Sequence, residues 1–199
     1  MRKLRNILVL LFICSLHLAV AQDKVETDSK STPGASFKSA FFAQLNDVEK
    51  KIVDLADAVP AEKYAWRPME GVRSVSEVYM HIAGANYLLP TFIGAKMPEG
   101  IDRDAEKKVT EKAKVVESLK KSFVYIRKVV DDTPEADLTK PAKFFGQETT
   151  VMGVIMNAAL HMHEHLGQSI AYARMNQVVP PWTAAEQAKE AKEKETKKN

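Results

Sequence analysis

Residues 37–59 read FKSAFFAQLNDVEKKIVDLADAV, and the spacing of their apolar side chains decides the fold class. Apolar residues recur here every three or four positions, which places them on one face of an α-helix. Pro60 follows and lacks the backbone N–H that another helical turn needs, so it ends the helix. The apolar positions are Phe37, Phe41, Leu45, Val48, Ile52, Leu55 and Val59.

Three further stretches repeat this period. The predicted spans are residues 74–93, residues 104–130, and a fourth from Thr149 or Thr150 to just before Val178. The apolar stripe of the span 104–130 consists of Val109, Ala113, Val116, Leu119, Phe123, Ile126 and Val130. Ser74 and Glu77 have the spacing of a capping box, which marks the start of the second helix. No strand-like alternation separates the four spans. The pattern therefore predicts an all-α fold, an up-down type four-helix bundle.

The first 21 residues have the three parts of an export signal. The parts are a basic start at Arg2, Lys3 and Arg5, an apolar run over residues 7–20, and the cleavage site Ala19-Val20-Ala21. We therefore expect a mature chain that begins at Gln22, in the periplasm or secreted, with no membrane span after cleavage. A retained membrane anchor is the alternative, because the apolar run is long for a signal.

Removal of this segment changes the composition of the chain. The formal charge of +3 falls to about zero, since the signal carries three basic residues and no acidic one. Cys14, the single cysteine, is also lost, which excludes disulfides and thiol nucleophiles in the mature protein. No basic stripe interleaved with aromatic residues remains, so we expect no nucleic-acid partner.

The rest of the chain divides into three parts by composition. Residues 22–35 are rich in Ser, Thr, Lys and Asp and contain a Pro-Gly pair, which predicts a flexible linker. Residues 36–183 form the predicted bundle. Residues 184–199 carry Lys, Glu and Ala without an apolar stripe, so we expect a charged, mobile tail that is solvated or a fraying helix.

A histidine-rich motif in the fourth helix, HMHEHLGQ at residues 161–168, has the spacing of a metal site. His161 and His165 lie four residues apart, so both project from one helix face. His163 is rotated by roughly 200° from His161 and should point away. His81 in the second helix supplies a third candidate nitrogen, although a lone histidine on an apolar face is often a hydrogen-bonded core residue.

The neighbours of these histidines suggest how the site is built. Gly84 and Ala85, one turn after His81, are small enough to let another helix approach closely. Gln168 falls on the face of His165 and could orient a ligand or fill a buried polar gap. Glu164 is offset from the ligand face, which favours an exposed side chain or an ion pair over a general base.

Several short motifs follow one another along the chain in a characteristic order and spacing. They are Tyr64-Ala65-Trp66-Arg67-Pro68, Arg73-Ser74-Val75-Ser76-Glu77 leading to His81-Ile82-Ala83, His161-x3-His165-x-Gly167-Gln168, Tyr172-Ala173-Arg174-Met175 and Val179-Pro180-Pro181. Together these motifs resemble those of the DinB-like family of metal-binding four-helix bundles. The resemblance implies that one divalent ion is held by His81, His161 and His165. The chain has Leu166 where the family usually has an arginine before Gly-Gln.

The resemblance and the three-histidine pattern leave two classes of function. The first is an exported metal-dependent hydrolase or transferase that works through open coordination positions, since three imidazoles leave room for water or a small-molecule substrate. The alternative is a non-catalytic metal-binding or interaction bundle in the cell envelope, with a homodimer as one arrangement. Zinc or nickel is the expected ion, and imidazole also suits iron and copper.

Overall fold

The computed structural model describes residues 36–102 and 104–197, and this part of the chain is predominantly helical. The described α-helices are α1 (Phe37–Ala58), α2 (Val75–Leu88), α3 (Ala105–Lys108), α4 (Lys112–Asp132), α5 (Val151–Met175) and α6 (Pro181–Thr196). Short 3-10 helices lie in the connectors at Ala61–Lys63, Leu89–Ile93 and Glu135–Asp137. The long helices α1, α2, α4 and α5 form the predicted all-α four-helix bundle.

Side-chain caps mark the starts of helices α2 and α5. Ser74 accepts a hydrogen bond from the backbone N–H of Glu77, and the Glu77 carboxylate accepts one from the backbone N–H of Ser74 at 2.7 Å. This is the predicted capping box. At the start of α5 the hydroxyl of Thr150, and not that of Thr149, accepts a hydrogen bond from Gly153 N at 3.1 Å.

The predicted third helix, residues 104–130, is interrupted. The backbone leaves the helical conformation at Val109, where φ is −95° and ψ is 103°, and α4 begins only at Lys112. Val109 and Thr110 are β-branched and have low helix propensity, which favours a break at this point. Val109 still packs partly against the core, so its place in the apolar stripe gave no sign of the break.

The connector before α5 contains a β-hairpin that the sequence patterns did not predict. Strands β1 (Pro141–Phe144) and β2 (Gln147–Thr150) pair antiparallel, with Phe144 opposite Gln147. The two-residue turn, Phe145-Gly146, has positive φ at both positions, as a type I′ turn requires. Asn, Asp or Gly usually occupies the first position of such a turn, so a phenylalanine there did not indicate a turn in the sequence.

The order of helices around the bundle is set by which pairs are in contact. Helix α1 packs against α4 and α5, and α2 packs against the same two, so α1 and α2 lie diagonally opposite. Helices α1 and α4 are antiparallel: Lys38 at the start of α1 donates to the carbonyl of Asp131, and Lys112 at the start of α4 donates to the carbonyl of Asp57. The contact between α2 and α5 is the one that builds the candidate site.

The core is continuous through the bundle and is made mostly of aliphatic side chains. The largest fully buried residues are Tyr64, Tyr79, Phe123, Leu45, Ile52, Leu55, Ile82, Leu119, Ile126, Met162, Val48 and Val59. Tyr64 donates a hydrogen bond to the Ala56 carbonyl at 2.7 Å, which satisfies its buried hydroxyl. Trp66 packs edge-on against Tyr172 with ring centroids 5.4 Å apart, so its partly buried side chain adds to the core.

The predicted terminal segments are only partly described. The export signal at residues 1–21 and the linker at residues 22–35 lie outside the described residues. Helix α6 is exposed from Ala184 to Thr196, and the mobility of this tail stays a prediction. No helix in the described ranges is long and apolar enough to span a membrane.

Candidate metal centre

Three histidine side chains from two helices converge between α2 and α5. His81 Nε2 lies 3.0 Å from His161 Nε2, and His161 Nε2 lies 3.1 Å from His165 Nε2. All three donor atoms fall within 4.8 Å of one another. His165 is buried, and the other two side chains are half-buried. The structure thus brings together the three histidines that the sequence singled out.

Hydrogen bonds to the opposite ring nitrogens fix the orientation of two of these imidazoles. His81 Nδ1 lies 3.0 Å from Glu106 Oε2, and His165 Nδ1 lies 2.8 Å from Gln168 Oε1. Gln168 donates its amide group to the Tyr172 hydroxyl at 3.1 Å, which turns its carbonyl oxygen towards His165. Both acceptors place the ring proton on Nδ1 and leave the Nε2 lone pair directed at the centre.

The local environment of His81 and His161 favours the neutral imidazole, which is the form that binds a metal. Burial, and then the neighbouring His165, His81 and Arg73, lower the pKa of His161 to about 4. Burial and Arg73 also lower the pKa of His81, and Glu106 opposes them. His161 Nδ1 is buried and has no hydrogen-bond partner among the described residues.

Glu106 is a part of the site that the sequence did not identify. It lies on the short helix α3, and one carboxylate oxygen contacts His81 while the other accepts from Arg73 Nε at 2.7 Å. The break at residues 109–111 separates α3 from α4 and allows this approach to α2. Glu106 is 25 residues from His81 in sequence, and no spacing pattern links them.

The structure also shows where the other residues considered in the sequence analysis lie. His163 is not part of the three-histidine group. Glu164 is exposed and lines the cavity described below. Gln168 contacts His165 Nδ1, which agrees with the first of the two roles that the sequence left open, orienting a ligand. The sequence named Gly84 and Ala85 together as the residues that let another helix approach, and α2 and α5 do bring His81 and His161 together. The part of this expectation that concerns Gly84 is wrong, because a Cβ built there meets no heavy atom within 4 Å outside its own stretch of helix.

The empty space beside Gly84 belongs to a cavity of about 790 Å³ between α2, α5 and the hairpin. His81 and His161 line one side of it, and most of the remaining wall is apolar. Its aromatic and aliphatic lining includes Met80, Tyr87, Leu88, Phe144, Phe145 and Leu160. A small molecule in this cavity would therefore reach two of the three histidines.

The donor set fits a divalent metal ion. Two imidazole nitrogens on one tetrahedral zinc ion, each at about 2.0–2.1 Å from the metal, lie roughly 3.3 Å apart. The observed Nε2 separations of 3.0 and 3.1 Å are close to this value. Neutral imidazole suits zinc, nickel, copper and iron, so the donor set alone does not select among them.

We expect Glu106→Ala to weaken metal binding by about 10–100-fold, because loss of a hydrogen bond to a metal-binding histidine has this effect in other sites. The variant removes the acceptor that holds the His81 ring. Titration calorimetry with Zn²⁺ measures the change, and the exposed Glu99→Ala is the control. Equal affinities in the two variants would contradict a role for Glu106 at the site.

Comparison with known proteins relates the sequence of this chain to a known family. The sequence model of the DinB superfamily matches residues 44–169, a range that contains all three histidines. No curated protein gives a significant match.

Solved structures show the same fold at low sequence identity. A DinB-like protein from Bacillus cereus ATCC 10987 is 18% identical, with a TM-score of 0.64, over 72% of this chain and 95% of its own. A DinB-like protein from Bacillus subtilis is 21% identical, with a TM-score of 0.54, over 72% and 92% of the two chains. A protein from Exiguobacterium sibiricum described as a member of the DinB family is 20% identical, with a TM-score of 0.53, over 72% and 93%.

Proposed function

The chain belongs to the DinB superfamily, and from this premise we propose that it binds one divalent metal ion through His81, His161 and His165. The observation that supports this most directly is the convergence of three Nε2 atoms. Their two described Nδ1 partners, Glu106 and Gln168, favour the tautomer that a metal requires. Zinc and nickel are the first candidates for the ion.

We further propose that the bound ion serves a hydrolase or transferase reaction. A divalent ion held by these three imidazoles would supply a Lewis acid that can take water or substrate as a further ligand. Two of its ligands, His81 and His161, line a cavity large enough for a small molecule. A purely structural ion would more often be enclosed by four protein ligands.

The chain's own residues would prepare this site for catalysis. Glu106 and Gln168 hold the rings of His81 and His165 in fixed orientations, so the site needs little rearrangement when substrate binds. Glu164 is the carboxylate next to the ligand pair that also faces the cavity, and it is available to hold a proton during the reaction.

Substitution of the ion by Co²⁺ tests whether coordination positions are open. We expect one Co²⁺ per chain, with visible absorption bands that shift when azide is added, because an external anion can occupy an open position. Absorption spectroscopy during an azide titration measures this. A cobalt spectrum that does not respond to azide would contradict an open site and would favour a non-catalytic metal-binding bundle.

We also propose that the protein is exported, from the basic start, apolar run and Ala-x-Ala site in residues 1–21. Mass spectrometry of native protein is expected to find Gln22 as the amino terminus. Protein that retains Met1 and remains with the membrane fraction would instead mean that the segment is an anchor.

A further inference from the structure

The lining of the cavity combines polar side chains at the histidine cluster with apolar side chains elsewhere. His81, His161 and Glu164 belong to the cluster or adjoin it, whereas Leu88, about two turns after His81 on α2, and Phe144 of the hairpin are apolar. Leu88 lies seven residues after His81, a distance of roughly 10 Å along α2. A volume of about 790 Å³ lies within the range of about 300–1,000 Å³ that is typical of small-molecule sites.

Exposed apolar side chains continue from the cavity to the surface. Phe145 is 64% exposed and Leu160 is 60% exposed, and both line the cavity. The hairpin that carries Phe145 is held beside the end of α2, because Phe92 packs against Phe144 with ring centroids 5.2 Å apart. The core packing does not require these exposed side chains, whereas an apolar ligand would bury them.

The charged side chains of the lining indicate where the polar part of a ligand would lie. Among the described residues, all but one of the lining Asp, Glu and Lys side chains have an ionic partner: Asp102 with Lys108, Glu106 with Arg73, and Lys121 with Glu117. Glu164 has no hydrogen bond or ion pair among the described residues. Its carboxylate can therefore accept a hydrogen bond from a ligand beside the histidines.

We propose that this cavity binds an amphipathic small molecule, a medium-length aliphatic chain or aromatic ring with a polar head group. The head group ligates the metal and donates a hydrogen bond to Glu164, and the apolar part lies along α2 towards Leu88 and Phe144. This inference rests on the metal site proposed above and specifies the class of ligand that the site accepts.

Alkyl hydroxamates are suitable probes, because their head group both ligates zinc and carries a hydrogen-bond donor. Calorimetry on the zinc-loaded protein would compare acetohydroxamate, butanohydroxamate and octanohydroxamate. We expect affinity to rise by about two- to fourfold for each added methylene, since each CH₂ leaves water for an apolar wall. Equal affinity for the three probes would overturn the proposal.

Gly84 offers a variant that fills the cavity without disturbing the metal. A Cβ at Gly84 meets no heavy atom within 4 Å outside its own stretch of helix, so the leucine side chain of Gly84→Leu has room to enter the space. We expect octanohydroxamate to bind about tenfold or more weakly to this variant, and acetohydroxamate to bind within about twofold of its original affinity. The zinc content should stay at one ion per chain.

Gly167→Leu is the matched control. Gly167 also lies within a helix and has the same open surroundings, but it does not line the cavity. Both variants gain a similar amount of helix propensity. The proposal is overturned if the two variants lose octanohydroxamate affinity equally or if neither loses it.

The experiment separates the failure of this inference from that of the proposed function. A chain that binds no zinc would overturn both. A chain that binds zinc but shows no dependence on alkyl length would overturn the amphipathic ligand and leave the metal site standing. If that chain also sedimented as a dimer, the exposed side chains of Phe145 and Leu160 would be assigned to a contact with a second copy of the protein.

Discussion

His161→Ala is expected to abolish stoichiometric metal binding. Its Nε2 atom lies between those of His81 and His165, at 3.0 and 3.1 Å, so its removal takes away the central donor. The loss of affinity should exceed the about 10–100-fold effect of losing a hydrogen bond to a ligand, because a direct metal bond is removed. Elemental analysis after dialysis should show metal content falling from one ion per chain towards zero.

His163→Ala is the matched control for this prediction. His163 is on the same helix, two residues from His161 and from His165, but it is not part of the converging group. We expect this variant to keep one ion per chain. His81→Ala and His165→Ala should behave like His161→Ala. Full metal content in both His81→Ala and His161→Ala would contradict the assignment of the site.

Local spacing predicted part of the site, because an α-helix has a fixed period. His161 and His165 were paired by their separation of four residues, and His163 was excluded by its rotation around the same helix. His81 lies 80 residues from His161, so periodicity alone could not bring the two together. The resemblance to DinB-like proteins supplied that link, and the structure places the two Nε2 atoms in contact.

Features that depend on tertiary structure could not be predicted. Glu106 reaches His81 only because the chain breaks at Val109 and Thr110, where the apolar spacing is that of an uninterrupted helix. Gly84 was predicted, together with Ala85, to let a neighbouring helix approach, since both residues are small. In the structure it faces a cavity, because the hairpin and the residues before α4 hold that space open.

Periodicity identified the bundle helices but not their arrangement. An apolar stripe shows which face of α1 is buried and says nothing about which helix covers it. The diagonal placement of α1 and α2 depends on the connectors between helices, including the hairpin at residues 141–150. The buried face itself was predicted well: Phe123 lies on the predicted stripe of α4 and is fully buried.

Phe123→Ala is expected to destabilise the fold by about 3–5 kcal/mol, the usual loss when a fully buried phenylalanine becomes alanine. The side chain is 0% exposed and belongs to the continuous core of the bundle. Its removal exposes no new polar group, so the loss comes from reduced apolar burial and from the cavity that remains. Urea unfolding followed by circular dichroism at 222 nm measures the change in the free energy of unfolding.

Val124→Ala provides the control, because Val124 is the next residue of the same helix and is 66% exposed. We expect its free energy of unfolding to change by no more than about 0.5 kcal/mol, as is usual for an exposed position. Both substitutions introduce alanine into α4, so helix propensity contributes little to the difference between them. Similar destabilisation by the two variants would mean that α4 presents a different face to the core. Helix α4 packs against both α1 and α2, so such a result would also contradict the arrangement of the bundle around the metal centre.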